Sequence, residues 1–507
     1  MSEIKSNKFL ELALREVPRL LAQLNRNPSS KSYGSFDRAY WHYRTNDISC
    51  ARYQEAVYTL ALLYFSNFEG NIYYQNEKVL EWIRAGLRFT ATLQKSNGSF
   101  DEWYINEGSY VATAFVTAAL SQTHKLFKEN RVEFEEEHII SNIIERAALF
   151  LLNTNEETVL NQVSGAIFAI ASANKNADLL LSKFLEKQSD EGWWSEYGGP
   201  DIGYLTLTIS YLTKYKALTG SKKVDEPIER AKSFVKLFIN PDHTAGGEYM
   251  SRNTEYIIPS PVLPYLCAIK PSHLDDRYLC YILYNWIETG LQIAPQTTTP
   301  SLGENYFPES SLLRVVNKHY FLVANGKKGG SFRLYAGDKV YYDSGLEVKT
   351  SNGNYSAGIL DNKNIISFKE GDLRVTGTMK KIKEPLLETK AAIIFKLWQF
   401  LLGRISFLQK VIKNSLRLRM VSYSSGSNLS FERTFEYSTQ AVIITDVVPR
   451  IVSKDDIVLG AKAAYSAVPS SKYATISEIA SRLLLPDLEK KEGSGIYTIK
   501  RTFTFNA

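Results

Sequence analysis

Apolar residues recur at helical spacing through the first 300 positions. The pattern predicts helices over Phe9–Leu24, Ala51–Phe65, Val79–Leu93, Val111–Phe127, Ile139–Leu152, Val159–Ala173, Ala177–Leu185, Tyr204–Ala217, Ile228–Phe238 and Arg277–Thr289. Gly, Pro, Asn and Trp gather in the loops between them. From about residue 301 the texture changes to short alternating runs rich in Val, Ile, Thr, Tyr and Phe. These are Leu312–Ala324, Ser331–Tyr335, Leu346–Thr350, Asp372–Met379, Leu429–Tyr437, Gln440–Val447 and Tyr497–Phe505. Gly or Asn separates them, as in an antiparallel sheet. The expectation is an α+β multidomain chain: a helical domain over 1–300, a β-sandwich over 301–507, and a boundary near Pro295–Gly303.

The helical part carries an internal repeat. Gln94, Gly98, Phe100, Glu102, Trp103 and Tyr110 match Gln188, Gly192, Trp194, Glu196, Tyr197 and Tyr204, each pair at one constant offset. Each copy follows one helix and precedes another. Repeated helical hairpins predict a solenoid or, when closed, an (α/α) toroid. The Gln-to-Gly part reads as a tie between helix ends, and function is expected on the loops along one rim.

One segment interrupts the β-domain. Over 387–418, Lys396, Gln399, Gly403, Ser406, Lys410, Lys413 and Arg417 recur at gaps of three and four, flanked by Ile393, Ile394, Leu397, Trp398, Leu401 and other apolar residues. This predicts a long amphipathic helix. Lys390, Lys396, Arg404, Lys410, Lys413 and Arg417 face a single acid, Glu388. Two roles are open to it: packing between the domains, or peripheral contact with an anionic membrane surface or a membrane-bound partner.

Composition narrows the classes. The 507 residues are 44% hydrophobic and 22% charged, which excludes wholesale disorder. A formal charge of +6 is too small for nucleic acid to be the main partner. Aromatics reach 12%, a bias that suits flat amphipathic ligands such as sugars, although most rings belong to cores. Cys50, Cys267 and Cys280 are far apart, and the six histidines form no paired-ligand motif, so neither a disulfide framework nor a metal or other cofactor is expected. The first twenty residues carry charges every few positions and no apolar signal core, and no long uncharged apolar run follows. The expected location is the cytoplasm, or peripheral at the inner face of the membrane.

Three loop clusters could carry chemistry. The densest runs from Glu191 to Tyr204 and crowds Trp193, Trp194, Glu196, Tyr197, Asp201 and Tyr204 around a Gly-Gly-Pro turn. The second, Gly246–Tyr256, offers the planar fork of Arg252, the amide of Asn253 and the phenol of Tyr256, all suited to a carboxylate or sugar. The third, Tyr40–Asp47, holds His42, Tyr43 and Arg44. Asn161 opens a helix and either caps it or presents a neutral donor. Paired acids, Glu102 with Glu107 or Glu196 with Asp201, keep a glycoside hydrolase open. A terpenoid cyclase is disfavoured, because no DxDD motif accompanies the repeats.

The segments GSFDRAYWHYRTNDI, EGWWSEYGGPDIGYLTL and GGEYMSRNTEY, on a helical toroid followed by a β-sandwich, resemble the heparinase II/III-like polysaccharide lyases, in particular those associated with exopolysaccharide and capsule functions. The resemblance implies β-elimination next to a uronic acid in an anionic polysaccharide. It implies Asn161 as the group that neutralises the sugar carboxylate, Tyr204 as acid/base, and His42 or His319 as the second proton carrier. Arg252, Asn253 and Tyr256 would assist the carboxylate, and Trp193, Trp194, Glu196, Tyr197, Tyr43 and Arg44 would line the subsites. A glycan-binding scaffold without cleavage is the alternative from a different class.

Overall fold

The computed structural model describes residues 3–382, 388–402, 405, 408, 424–449, 456–459, 483–493 and 495–505. Its first half is a toroid of helical hairpins. The inner helices are α3 (Ala56–Phe65), α5 (Tyr110–Glu129), α7 (Leu160–Ser172), α9 (Ile202–Thr219) and α11 (Asp276–Gln292). The outer helices are α4 (Glu77–Leu93), α6 (Glu137–Leu152), α8 (Asp178–Leu185) and α10 (Asp225–Leu237), with α1 (Lys8–Gln23) packed on α11. A short α2 (Arg38–Trp41) and a 3-10 turn (Ala51–Glu55) lead into α3. All ten helices expected from periodicity are present.

Sequence explains the two rings. Every residue of α3 is buried, and α7 is apolar or small on nearly all sides, so these helices are enclosed by neighbours. The outer α10 buries a single stripe, Ile228, Ala231, Phe234 and Val235, and α4 buries a stripe of Val79, Leu80, Ile83 and Leu87 with Ala85 and Phe89 on its other side. Side chains close the ring between α9 and α11: Ser210 Oγ donates to Asn285 Oδ1 at 3.0 Å, and the Tyr211 and Tyr284 hydroxyls lie 3.3 Å apart.

The second half is built from three antiparallel sheets. The first is a meander of β1 (Gly303–Phe307), β2 (Leu312–Val316), β3 (Phe321–Asn325), β4 (Ser331–Ala336) and β5 (Lys339–Asp343). The second joins β6 (Glu347–Thr350), β7 (Gly353–Ser356), β10 (Lys380–Ile382), β11 (Ser424–Ser425) and β14 (Ile457–Val458). The third joins β8 (Ile365–Lys369), β9 (Asp372–Thr378), β12 (Ser430–Tyr437), β13 (Ala441–Pro449), β15 (Asp487–Glu492) and β16 (Ile496–Thr504).

The meander is covered on both faces. Leu313, Val315, Leu322, Ala324, Phe332 and Leu334 share a core with Phe435, Ile444 and Phe503 of the third sheet. The alternate residues Leu312, Val316, Phe321, Val323 and Tyr335 join the core of the helical domain. Burial on both sides gives the unbroken apolar texture of this stretch. It also explains a difference from expectation. The run Leu312–Ala324 is two strands joined by a turn at Asn317–Tyr320, so His319 lies in that turn and not within a strand. Asn317 Oδ1 accepts from the His319 and Tyr320 amides at 2.8 and 3.0 Å.

Between β10 and β11, α12 spans Thr389–Leu401. The rest of the amphipathic helix expected over 387–418 lies outside the described residues, apart from Leu402 and the single positions 405 and 408.

Candidate active site on the helical rim

The N-termini of α7, α9 and α11 meet at one rim; side chains cap α9 and α11, whereas α7 has no side-chain cap, so Asn161 does not cap it. Asp201 caps α9, its Oδ1 accepting from the Tyr204 amide at 3.4 Å. Asp275 caps α11 by accepting from the Tyr278 amide at 2.8 Å. Each cap sets a tyrosine three residues on, within the first turn. The Tyr204 and Tyr278 hydroxyls meet at 2.7 Å.

Asp201 also ties the two richest loops together. Its Oδ2 accepts from the backbone amides of Arg252 (3.1 Å) and Thr254 (3.2 Å), and its Oδ1 accepts from the Thr254 hydroxyl. The Ser251 amide donates to the Pro200 carbonyl at 3.0 Å. Gly203 is needed where the loops touch, since a Cβ there would stand 2.6 Å from Thr254 Oγ1. Segments about fifty residues apart in sequence thus become one surface.

On that surface Asn161, at the start of α7, donates from Nδ2 to Glu196 Oε2 at 2.5 Å. Glu196 is buried, and burial raises its carboxyl to about 8; Arg252 opposes the rise while Asp201 adds to it. The Arg252 guanidinium lies 4.8 Å over the Tyr197 ring, and its buried Nε has no hydrogen-bond partner. Burial pushes the Tyr204 hydroxyl well above its ordinary value, with Tyr278 and Tyr281 adding to it and the Arg252 charge pulling it back. The N-termini of α7, α9 and α11 and the Arg252 guanidinium gather at this rim, with Glu196, Asp201 and Asp275 beside them. Behind it, Arg277 pairs with Glu102, and Arg52 with Glu55, so those two cations are already neutralised.

Of the other expected residues, Tyr256 and Asn253 lie beside the rim on the Arg252 loop, and the rest fall elsewhere on the fold. Trp194 stacks on Phe184 (4.9 Å between centroids) and donates to its carbonyl at 3.0 Å, a core position. Trp193 is buried with Nε1 donating to Glu191 Oε2 at 2.8 Å. Tyr256 is buried, its ring 6.4 Å from that of Tyr278. Asn253 Oδ1 accepts from Lys328 Nζ of the β-domain at 2.5 Å. His42, Tyr43 and Arg44 lie on an exposed loop, with the His42 ring between those of Trp41 and Tyr43. His319 borders a depression lined by Pro241, Pro300, Leu302 and Tyr335, and none of the rim residues lines it.

The acid pairs of the hydrolase reading are committed to structure. Asp201 holds four donors, as described. Glu107 Oε2 accepts from the amides of Glu102 (2.9 Å) and Trp103 (2.8 Å), and Glu102 pairs with Arg277. Three groups near the rim were not expected: Tyr278, Lys328 and Arg333. The Asp275-Asp276-Arg277-Tyr278 run carried the signal for Tyr278, a capping acid three residues before a tyrosine as at Asp201. Among the described residues no group of three or more His, Cys, Asp or Glu could hold a metal ion.

No family model matches the chain, and no curated protein sequence matches it. Solved structures do. The chondroitin AC lyase of Streptomyces coelicolor A3, in complex with chondroitin sulphate, superposes with a TM-score of 0.50 at 9% identity over 87% of this chain and 66% of the lyase. A mutant of that lyase gives a TM-score of 0.47 at 9% identity over the same shares. The chain thus spans slightly less than two thirds of the lyase's length. What it shares with this polysaccharide lyase is the fold: a toroid of helical hairpins followed by antiparallel β-sheets.

Proposed function

We propose that the protein is a polysaccharide lyase that cleaves a uronic-acid-containing polymer by β-elimination, of the heparinase II/III-like kind that the loop sequences resemble. The observation that carries this reading is the half-buried Arg252 side chain, whose buried Nε lacks a partner, beside the paired hydroxyls of Tyr204 and Tyr278. The C5 proton of a uronate is weakly acidic while the adjacent carboxylate keeps its charge. Arg252 and the Asn161 amide would bind that carboxylate and make the C5 carbanion accessible. Tyr204 would take the C5 proton, the electron pair would form the C4–C5 double bond as the C4–oxygen bond breaks, and a proton would pass to the leaving oxygen. Arg252 eases formation of the Tyr204 phenolate, and Tyr278 supplies a second hydroxyl for the proton. The lyase fold of the structural neighbour supports this class, and its complex with chondroitin sulphate supports an anionic glycan as the substrate type.

The test is turnover of a panel of uronate polymers, followed by the near-ultraviolet absorbance of the unsaturated product. Tyr204→Phe and Asn161→Ala are expected to lower kcat by roughly 100-fold or more while the fold is kept. Full turnover in both variants would reject the assignment. New reducing ends without the absorbance would favour a hydrolase, and binding without either product would favour a scaffold.

A further inference from the structure

The loop that carries Arg252 is gripped by two charged groups, one from each domain. From the toroid, Asp201 receives the Arg252 and Thr254 amides. From the β-domain, Lys328 Nζ donates to the Glu248 carbonyl (2.6 Å), the Met250 carbonyl (2.7 Å) and Asn253 Oδ1 (2.5 Å). An ammonium has three N–H groups, so all of them are committed to this one stretch, 248–253. A carboxylate takes the amides and a cation takes the oxygens, each matched to the dipole it meets. Between them the chain turns at Asn253, whose φ of 56° lies in the left-handed region. Arg252 stands next to that turn. Lys328 is buried and closes a 3-10 turn (Gly326–Lys328), its amide donating to Asn325 Oδ1 at 3.3 Å. Its three partners are neutral oxygens, since the Glu248 carboxylate is forked on Arg333. Burial pushes the Lys328 ammonium down to about 7, with Arg252 adding to the push while Glu248 and Asp201 oppose it. An apolar side chain would fill this site without that cost. What only the cation supplies is a fixed spacing of the 248–253 oxygens.

We propose that Lys328 is a positioning residue for the site on the rim: acting through the 248–253 loop, it fixes the Arg252 guanidinium beside the Tyr204 and Tyr278 hydroxyls. The proposal rests on the reading of Arg252 as the group that binds a sugar carboxylate. Lys328 itself is buried beneath the loop contacts and touches no substrate. The fit of an acidic sugar thereby depends on the contact between the helical domain and the β-domain.

The test pairs a chemical probe with turnover. Phenylglyoxal labelling of arginines in the full chain, read by mass spectrometry, needs no activity. Lys328→Met is expected to raise labelling of Arg252 by about threefold or more and to leave that of the exposed Arg131 and Arg374 unchanged. Asn253→Ala removes one acceptor and keeps the cation, and it is expected to raise Arg252 labelling by a smaller factor; it decides the matter should Lys328→Met fail to fold. On uronate polymers, Lys328→Met is expected to lower kcat/KM by about tenfold in the parent and by less than about twofold in an Arg252→Ala background, because the two residues act as one. A loss of equal size in both backgrounds, as a merely structural role would give, would overturn the proposal. So would Arg252 labelling that neither variant changes. If the parent turns over no polymer, the lyase reading fails and the labelling alone decides on Lys328.

Discussion

Glu196 sits on the turn before α9, 3% exposed, with Asn161 donating to one of its oxygens. Burial is the main reason its carboxyl titrates near 8 and not near 4.5. Between those values the folded protein keeps a proton that the unfolded chain has lost. The stability that follows is complete below 4.5 and disappears as pH rises through about 8. The denaturation midpoint of the parent is therefore expected to fall between about pH 5 and about pH 9, and Glu196→Gln is expected to flatten that fall. Identical slopes in urea titrations of the two would contradict this account of the residue. Loss of the same proton would place a negative charge beside Arg252, so binding of an acidic glycan should weaken over the same alkaline range.

At the level of elements, the repeated loops have one construction. Gln94 Nε2 donates to the carbonyls of Gly98 (3.1 Å) and Ile143 (2.8 Å), and Gln188 Nε2 does the same to Gly192 and Pro227 (both 2.9 Å). An arginine of the following outer helix closes each loop: Arg146 donates to the Lys95 carbonyl at 2.7 Å and Arg230 to the Ser189 carbonyl at 2.6 Å. The glutamine thus ties an outer helix to the next hairpin, the role its spacing suggested. Gly192 has φ 102°, and a Cβ there would stand 2.5 Å from the Arg230 carbonyl oxygen. Gly192→Ala is expected to cost about 2–3 kcal/mol in chemical denaturation. Gly220→Ala, at a helix end with φ 69° and open space around it, should cost only about 1 kcal/mol. Equal losses would mean that backbone strain, and not the contact with Arg230, is what the glycine serves.

At the scale of the molecule, the β-domain holds the loop that carries Arg252. Arg333 of β4 forms a fork to Glu248 (2.8 Å for each oxygen) and also pairs with Glu255, all three buried. Lys328 Nζ donates to the carbonyls of Glu248 (2.6 Å) and Met250 (2.7 Å), and Asn325 Nδ2 to that of Tyr249 (2.7 Å). Removing the cation strands two buried acids. Arg333→Met is expected to cost about 3–5 kcal/mol and to lower activity by displacing Arg252, read by calorimetry together with turnover. An unchanged melting temperature would show that the two domains do not depend on this contact. A second buried network holds the sandwich itself: Arg433 and Arg501 share Asp343 and Asp446, and together they hold the Asp343 carboxyl near 2 against the upward push of burial.

The sequence by itself determined the ten toroid helices, the change to antiparallel strands near residue 301 and the repeated helix tie, because periodicity, caps and turn residues act over a few neighbours. Strands such as β1, β5, β8 and β15 were not legible, since short edge or half-covered strands leave little alternation to read. Only the tertiary structure decided which members of the loop clusters share a surface. Asn161, Glu196, Arg252, Tyr204 and Tyr278 meet because Asp201 ties two loops across the ring and because α9 and α11 lie side by side, relations set by long-range packing. It also decided that Trp194 belongs to the core, that His319 belongs to a turn, and that Phe395 and Gln399 of α12 face the protein while Leu397 and Phe400 do not. A local pattern marks which residues share a face of an element; what that face meets depends on chain segments far away in sequence.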